Sequence, residues 1–424
     1  MNCEILEAGL VECQINLKTK SKKTKFNPNF KMPFEEPLAF NVEWFDLSAS
    51  LHRQFLLTFY ESDSSVEMSE IKTRKMFLRR CPVPSSGLDK KDLFVGNTVV
   101  VFARHLLIKD YSNEYTRNQV ENHKQTTLIL LYPEAHQDLG HVIACFDRAQ
   151  YSLCRVRSIS FSNITAREFL DRHVVKGVDI RDDVQRLTSP GNPCVALEIV
   201  GESALRRWRS CIRPSVEFKD DSEHETHELN FRGIYGSKTS LDAEWELEFI
   251  FTQKTINVHP DPPTKLSCGP HVTNCVIKPH ALREGKAGRI IEEIQARGFH
   301  VFGIQAFILT KKESEDFYEI YKGIEARDYF GLVRQGAAGR CLALALAAPG
   351  LELTEEVPSV VEAFRKLCGP ADPEVCRVLY PDSLRAKYGG MNQEENAVHC
   401  SDLEEDGHLE VEYFFTLMQP YQSV

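Results

Sequence analysis

The sequence lacks the short motifs that mark several common classes of enzyme. None of its 13 cysteines forms a C-x-x-C pair, so neither a zinc site of that kind nor a thioredoxin-like redox motif is indicated. It contains no G-x-x-x-x-G-K-[ST] and no G-x-G-x-x-G, which argues against a P-loop and a dinucleotide-binding turn. An odd number of scattered thiols is typical of a protein from a reducing compartment such as the cytosol.

Long apolar runs and an overall positive charge are also missing. No run is long enough to span a bilayer, and the opening residues, MNCEILEAGLVE, carry acids without the basic region of a signal peptide. The formal net charge of -10 over 424 residues argues against nucleic-acid or membrane binding as the main function. The exception is a lysine-rich arm, residues 1–37, which we expect to be irregular.

Metal-ligand clusters are equally scarce. His224 and His227 lie in the acidic stretch KDDSEHETHE, where a solvated loop is favoured over a metal site. We therefore expect no metal ion held by protein side chains alone.

The chain divides into a β-rich part and an internal repeat. Residues 38–111 contain short β-branched and aromatic runs between polar breaks, which predicts a small antiparallel β domain. After a polar connector, TTLILLYPEA (126–135), RRWRSCIRP, FRGIYG and WELEFIF recur in the same order as TNCVIKPHA (273–281), EAFRKLCGP, LRAKYG and LEVEYFF. The repeat predicts a first copy over 126–251, a proline-rich linker over 252–272 and a second copy over 273–415.

Strands and helices alternate in the second copy. TNCVIK, FHVFGIQAFIL and RCLALALA are predicted strands, GRIIEEIQARG and VPSVVEAFRKLCG are predicted helices, and EVEYFF is predicted to be a closing strand. Such an order predicts an α/β sandwich with helices covering a sheet.

Polar residues near the repeat landmarks of the second copy indicate phosphate chemistry. Arginine binds phosphate bidentately and lysine supplies a point charge. A histidine held by a carboxylate can present its other ring nitrogen as a nucleophile, although a lone histidine in a polar loop such as ENAVHCSDLEEDG is more often a surface residue. The set predicts phosphoryl transfer through a phosphohistidine and comprises Lys278, Arg365, Arg385, Asn396, His399, Ser401 and Glu410.

These residues resemble those of the nucleoside diphosphate kinases. V-I-K-P-H-A resembles the K-P-D strand end of that family, and N-A-V-H-C-S-D (396–402) resembles its N-x-x-H-G-S-D signature. The resemblance implies an α+β chain, in which a small N-terminal β domain precedes two ferredoxin-like α/β sandwich domains. It also implies Mg²⁺ and a nucleotide such as ATP as cofactor and substrate if the second copy is active.

The resemblance assigns roles residue by residue. His399 would accept the phosphoryl group, Glu410 would bind its other ring nitrogen, and Ser401 would lie beside that carboxylate. Lys278, Arg365 and Arg385 would bind phosphate. Asn396 would lie near the sugar hydroxyl, Tyr318 near the histidine, and Phe330 or Tyr329 would stack on the base.

The sequence also departs from the family pattern. In the second copy Ala371 replaces a threonine, His280 replaces the aspartate of K-P-D, and Cys400 replaces the glycine of the signature. The loop from Gly369 to Arg385, which helps build hexamers in the family, is longer than usual.

The first copy departs further. Tyr132 stands at the lysine position, whereas Arg209, Arg232 and Glu246 match Arg365, Arg385 and Glu410. The interval from Arg232 to Glu246 is 11 residues shorter than its counterpart and contains no histidine. We therefore predict that the first copy lacks a phosphorylatable histidine.

Two functions fit this architecture. A DM-ten-like β domain followed by two kinase-like copies resembles an axonemal member of the family. That implies a structural component of the ciliary or flagellar axoneme, inside doublet microtubules, with tubulin and other axonemal proteins as partners and a cytoskeletal location. The alternative is an active nucleoside diphosphate kinase that moves γ-phosphate from a nucleoside triphosphate to a diphosphate. We expect neither nucleic acid nor membrane as a partner.

Overall fold

The structure is a computed structural model that describes residues 36–46, 48–83, 88–121, 124–172, 180–189, 191–212, 233–252, 272–323, 328–348 and 359–418. The larger of the two units into which the chain divides begins at Pro37. Residues 1–35 of the predicted basic arm and residues 253–271 of the predicted linker lie outside the described residues. No helix within the described ranges has both the length and the apolar character needed to cross a membrane.

An antiparallel sheet of six strands forms the N-terminal part of the larger unit. Its strands follow the order β4-β3-β2-β1-β6-β5. Alternate residues of these strands, including Phe40, Phe55 and Leu57, are buried in one core, as expected for a sheet with one covered face. The strands are β1 Leu38–Asp46, β2 Leu51–Tyr60, β3 Ser65–Glu70, β4 Met76–Pro82, β5 Thr98–Val101 and β6 Arg104–Tyr111.

The first copy follows after the short helix α1, Glu114–Val120. Most residues of its strands are buried, as in sheets covered by helices on both faces. Its elements are β7 Gln125–Leu131, α2 Leu139–Arg148, β8 Ser152–Ile159, α3 Asn163–Asp171, α4 Arg181–Leu187, β9 Cys194–Gly201, α5 Ala204–Ile212, β10 Ile234–Gly236 and α6 Ser240–Phe251.

The second copy repeats this order with additional short helices. Its elements are β11 Val272–Ile277, α7 Pro279–Arg283, α8 Ala287–Ala296, β12 His300–Ile308, α9 Lys311–Phe317, α10 Tyr329–Gly336, β13 Arg340–Ala347, α11 Val360–Cys368, α12 Pro373–Leu379, α13 Leu384–Tyr388, β14 Val398–Cys400 and α14 Glu404–Glu412. A π-helical turn, Tyr413–Leu417, follows α14. The predicted α+β fold class, with a small β domain before two ferredoxin-like sandwich domains, is confirmed.

The predicted closing strand EVEYFF is wrong, and its repeat partner in the first copy is helical as well. WELEFIF lies in α6, and LEVEYFF continues from α14 into the π-helical turn. Gly407, Glu410, Val411 and Phe414 are buried, which is the i, i+3, i+4, i+7 spacing of one helix face. The short alternation L-E-V-E-Y had the period of a strand, but the longer pattern has the period of a helix.

Both copies share one sheet of eight strands in the order β10-β7-β9-β8-β12-β13-β11-β14. Arg157 of β8 pairs with Gln305 of β12 across the junction, and the Ile304 backbone N–H donates to the Ser158 hydroxyl at 2.8 Å. Helices α2 and α8 pack together above this junction. The two copies therefore form one continuous structure, with β14 and β10 at opposite edges of the sheet.

Candidate active site

His399 lies on the edge strand β14, directly opposite Val276 of β11. The side chain is 7% exposed, and its Nε2 is 2.9 Å from Glu410 Oε2. Three aromatic rings surround the imidazole with centroid separations of 5.0 Å for Phe317, 5.8 Å for Tyr318 and 6.5 Å for Tyr321. The ring is thus fixed by one carboxylate and by edge-on aromatic contacts.

Glu410 holds the histidine through a small buried network. Its Oε2 also accepts hydrogen bonds from the Ser401 hydroxyl at 3.0 Å and from the Asn274 amide at 3.2 Å. The Ser401 hydroxyl accepts the Asn274 backbone N–H at 3.2 Å. An ionised carboxylate only accepts hydrogen bonds, so the ring nitrogen that faces Glu410 must carry a proton. The arrangement therefore places the proton of a neutral imidazole on Nε2 and leaves Nδ1 unprotonated.

The predicted cations surround the segment that carries His399. Lys278 is buried, and its ammonium donates to the Glu394 carbonyl at 3.2 Å. Arg365 donates to the Asp402 carbonyl and lies 3.5 Å from its carboxylate. Arg385 is buried and donates to the Val398 carbonyl at 3.1 Å and to the Gly369 carbonyl at 2.7 Å. The three cations converge from different elements on residues 394–402.

Asn396 and His280 shape the turn before the nucleophile. The Asn396 amide nitrogen donates to the Ala371 carbonyl at 3.1 Å, whereas its Oδ1 is buried without a partner among the described residues. Ala397 has a left-handed backbone with φ of 65°, and its N–H donates to His280 Nε2 at 3.2 Å. Burial and nearby cations lower the pKa of His280 to about 3, so this ring remains a neutral acceptor at physiological pH.

Phe330, which was predicted to stack on the base, does not pack against the rings around His399. Phe330 is 79% exposed on α10, and its ring lies 5.4 Å from that of Tyr329. Tyr318, by contrast, packs against His399 as the resemblance implied. Sequence reasoning missed Phe317, Tyr321 and Asn274, although the spacing of Phe317 and Tyr321 about Tyr318 on one helical segment was a usable signal.

Comparison with known proteins identifies the family. A family model described as nucleoside diphosphate kinase matches residues 271–419. Nucleoside diphosphate kinase homolog 7 of Rattus norvegicus is 34% identical over 398 residues, which are 90% of this chain and 94% of the relative. The chain belongs to the nucleoside diphosphate kinase homolog 7 family. The resemblance seen in the sequence is thereby confirmed.

Two further similarities to known proteins were found. Nucleoside diphosphate kinase homolog 7 of Mus musculus is 35% identical over the same share of both chains. A crystal structure of the Aquifex aeolicus nucleoside diphosphate kinase covers 35% of this chain and 97% of its own, with 26% identity and a TM-score of 0.30.

The first copy of this homolog 7 family member carries a tyrosine where the second carries His399. Tyr235 lies in β10 opposite Leu130 of β7, just as His399 lies opposite Val276. The Tyr235 hydroxyl donates to Glu246, and the Ser237 hydroxyl donates to the other Glu246 oxygen at 2.6 Å. Ser237 also accepts the Leu128 backbone N–H at 3.0 Å. Tyr235, Glu246 and Ser237 thus occupy the positions of His399, Glu410 and Ser401, although Tyr235 and Ser237 bond to different oxygens of the carboxylate.

That register corrects one sequence alignment. The match of FRGIYG to LRAKYG leaves the interval before Glu246 11 residues shorter than its counterpart, with no place for the histidine. The strand pairing instead aligns GIYGS with AVHCS, so the histidine position is present and holds Tyr235. Arg232, which the earlier alignment matched to Arg385, lies outside the described residues. The prediction that the first copy has no histidine at this position agrees with the corrected register.

A second aromatic side chain, Tyr132, replaces a polar residue of the second copy, Lys278. Tyr132, at the lysine position, is fully buried, and the Arg186 guanidinium lies 5.5 Å from its ring centroid. Burial raises the pKa of Glu246 to about 7 and, together with Glu246, raises the pKa of Tyr235 far above its ordinary value. A buried neutral phenol is a poor nucleophile, so this geometry holds the fold without offering a reactive group.

Proposed function

We propose that the second copy transfers a γ-phosphoryl group from a nucleoside triphosphate to a nucleoside diphosphate through His399. The observation that carries this proposal is the hydrogen bond between His399 Nε2 and Glu410. It fixes the tautomer in which Nδ1 keeps its lone pair.

The proposed reaction has two balanced steps. The Nδ1 lone pair attacks the γ-phosphorus, the bond from that phosphorus to the β,γ-bridging oxygen breaks, and a nucleoside diphosphate leaves. A terminal oxygen of a second nucleoside diphosphate then attacks the phosphohistidine, and the N–P electron pair returns to Nδ1. Glu410 accepts the Nε2–H throughout and stabilises the positive charge that the ring acquires.

Cations and one unsatisfied amide support a nucleotide as the substrate. Lys278, Arg365 and Arg385 supply three positive charges around the turn that bears His399, where charge on a transferred phosphoryl group would be stabilised. Asn396 Oδ1 is a buried acceptor without a partner among the described residues, and such an atom normally has a donor. A sugar hydroxyl supplies that donor.

Magnesium fits this site as part of the nucleotide complex. Within the described ranges, no three His, Cys, Asp or Glu side chains form a group that could hold a metal ion. Mg²⁺ commonly binds through substrate phosphates and water rather than an all-protein cage. Bound in that way, it would neutralise phosphate charge, while Lys278 and the two arginines would hold the oxygens that it leaves exposed.

The test is phosphorylation by γ-labelled ATP with magnesium. We expect the purified protein to form an acid-labile, base-stable phosphoprotein that discharges to GDP, and His399→Asn to form none. Tyr235→Phe is the matched control in the first copy and should label normally. Label that persists in His399→Asn, or that maps to the first copy, would contradict the proposal.

We also propose that the protein is a structural component of the ciliary axoneme, with tubulin and other axonemal proteins as partners. The supporting observation is the first copy, which keeps the fold and the Glu246–Ser237 pair but has Tyr235 at the nucleophile position. A copy without a nucleophile that is retained within one sheet fits a structural part. An N-terminal β domain provides additional surface for contacts.

Location and binding test this second proposal. We expect the protein to fractionate with salt-extracted axonemes, and complete recovery in the soluble fraction would contradict a structural role. Deletion of residues 1–37 tests whether the basic arm contributes. Binding to microtubules that is unchanged by the deletion would assign the contact to the remainder of the chain.

A further inference from the structure

Strand β11 carries a buried amide side chain on the face that holds His399. Asn274 is fully buried. It lies two residues before Val276, which pairs with His399 in the register of β11 and β14. Paired residues, and residues two apart on one strand, share a face of the sheet. The hydrogen-bond network around the histidine therefore reaches the strand next to the one that carries it.

The Asn274 side chain contacts the carboxylate that holds the imidazole. Its Nδ2–H donates to Glu410 Oε2 at 3.2 Å, and this oxygen lies 2.9 Å from His399 Nε2. The Ser401 hydroxyl donates to the same oxygen at 3.0 Å, and the Asn274 backbone N–H donates to that hydroxyl at 3.2 Å. Asn274 therefore acts on Glu410 directly through its amide and indirectly through Ser401.

The orientation of the Asn274 amide is set by Glu410. A carboxylate only accepts hydrogen bonds, so turning the amide over would place Asn274 Oδ1 against an oxygen that cannot donate to it. In the observed orientation Oδ1 is buried without a partner among the described residues. A buried acceptor without a donor lowers stability, so stability alone does not explain an asparagine at this position.

The first copy has an aliphatic residue at the same position. The Leu128 backbone N–H donates to the Ser237 hydroxyl at 3.0 Å, which repeats the bond from the Asn274 backbone to Ser401. The Leu128 side chain is fully buried and offers no donor to Glu246. Within one chain, the amide thus accompanies the copy that has the histidine and is absent from the copy that has a tyrosine.

We propose that Asn274 is a positioning residue for phosphoryl transfer, which holds the Glu410 carboxylate against His399 Nε2 so that the Nδ1 lone pair stays directed at the nucleotide. This role rests on the proposed function. Without the amide, the carboxylate can turn about its side-chain torsions, and the imidazole that it holds turns with it. A misdirected lone pair slows attack on phosphorus.

The expected effect falls on the rate of transfer rather than on nucleotide binding. Hydrogen bonds to charged groups are stronger than those between neutral groups, and losing one that orients the reacting group should lower the rate about tenfold. The cations Lys278, Arg365 and Arg385 bond to other groups. The ATP concentration for half-maximal labelling should therefore stay within about twofold of the wild-type value.

Two substitutions and a matched control test the role in the full-length protein. Asn274→Leu introduces the residue type of the first copy, and Asn274→Asp keeps the shape of the side chain but sets a carboxylate against Glu410. Thr273→Val is the control, because the Thr273 hydroxyl is also fully buried without a partner among the described residues. It lies on the other face of β11 from Asn274.

The measurement is the initial rate of phosphoprotein formation from γ-labelled ATP with magnesium, over a range of ATP concentrations. We expect about a tenfold lower maximal rate in Asn274→Leu, a larger loss in Asn274→Asp, and the wild-type rate in Thr273→Val. The urea midpoint of Asn274→Leu should stay close to that of the wild type, because the lost donor and the removed unsatisfied acceptor offset each other.

Three results would overturn the positioning role. They are a wild-type maximal rate in Asn274→Leu, an equal loss in Thr273→Val, and a loss that appears only as a higher ATP requirement. The last of these would assign Asn274 to nucleotide binding.

A second readout separates this inference from the proposed kinase function. Nitrogen-15 spectra of histidine-labelled protein should show distinct Nδ1 and Nε2 signals for His399, identified by their loss in His399→Asn. We expect these signals to broaden or merge in Asn274→Leu, because the ring is no longer held in one tautomer. If the wild type forms no phosphohistidine, the kinase function fails. Identical His399 signals in the wild type and Asn274→Leu would overturn the positioning role in either case.

Discussion

Replacing Gly288 with alanine should force apart the two copies where α8 packs against α2. A Cβ on Gly288 would lie 2.0 Å from the backbone nitrogen of Ala144 and 2.3 Å from its Cα. The contact is nearly reciprocal, because a Cβ on Gly140 would lie 2.4 Å from the backbone nitrogen of Glu292. These are backbone atoms, so no change of rotamer relieves the overlap.

The expected loss of stability is about 2 kcal/mol. Carbon and nitrogen atoms in contact need about 3.5 Å, so α2 and α8 must separate by more than about 1 Å. Extra methyl groups in well-packed sites typically cost about 1–3 kcal/mol. Alanine is intrinsically better than glycine in a helix by about 0.5–1 kcal/mol, so the clash must overcome a favourable term.

Urea unfolding followed by circular dichroism measures this effect. Gly339→Ala is the control, because its Cβ would meet only Pro279 Cβ at an ordinary 3.6 Å. We expect a lower urea midpoint for Gly288→Ala and little change for the control. An unchanged or higher midpoint for Gly288→Ala would refute the close helix crossing.

The remaining predictions concern buried polar groups. Tyr235→Phe removes a hydrogen bond to the buried Glu246 and should cost about 1–3 kcal/mol in urea unfolding; no loss would argue against the network. The folded-state pKa of Glu246 is raised to about 7 from an ordinary 4.5, so its contribution to stability is fully present below pH 4.5 and declines as pH rises through 7. That decline, about 3 kcal/mol, should be absent in Glu246→Gln. His280→Ala removes the acceptor for the Ala397 N–H and should lower both the urea midpoint, because a buried N–H loses its partner, and transfer through His399, by about tenfold; an unchanged transfer rate in the folded variant would exclude a positioning role for His280.

Most of the second copy was predictable because its elements are long and periodic. Ile290, Ile291 and Ile294 mark one helix face, and all three are buried in α8. Gly298 ends this segment with a φ of 86°, a conformation that glycine adopts without strain. The closing helix was predicted to be a strand because apolar and charged residues alternate in L-E-V-E-Y. The helical period of the buried residues becomes clear only over the several turns from Gly407 to Phe414.

The site residues that belong to a sequence motif were predictable, whereas those brought together only by the fold were not. N-A-V-H-C-S-D and V-I-K-P-H-A located His399 and Lys278. Tyr235 was missed because a shared Y-G dipeptide outweighed a better signal, the equal spacing of 11 residues from Tyr235 to Glu246 and from His399 to Glu410. The hydrogen bond from the Asn274 amide to Glu410 joins residues from two different elements, so neither sequence position alone indicates it.

The continuous eight-stranded sheet has a consequence for how the two copies stay together. Because both copies belong to one chain, their pairing is intramolecular and does not weaken on dilution. A substitution at the α2–α8 contact will open the molecule locally rather than release a subunit. The second copy therefore always keeps its neighbour, even at concentrations at which a weak two-chain pair would fall apart.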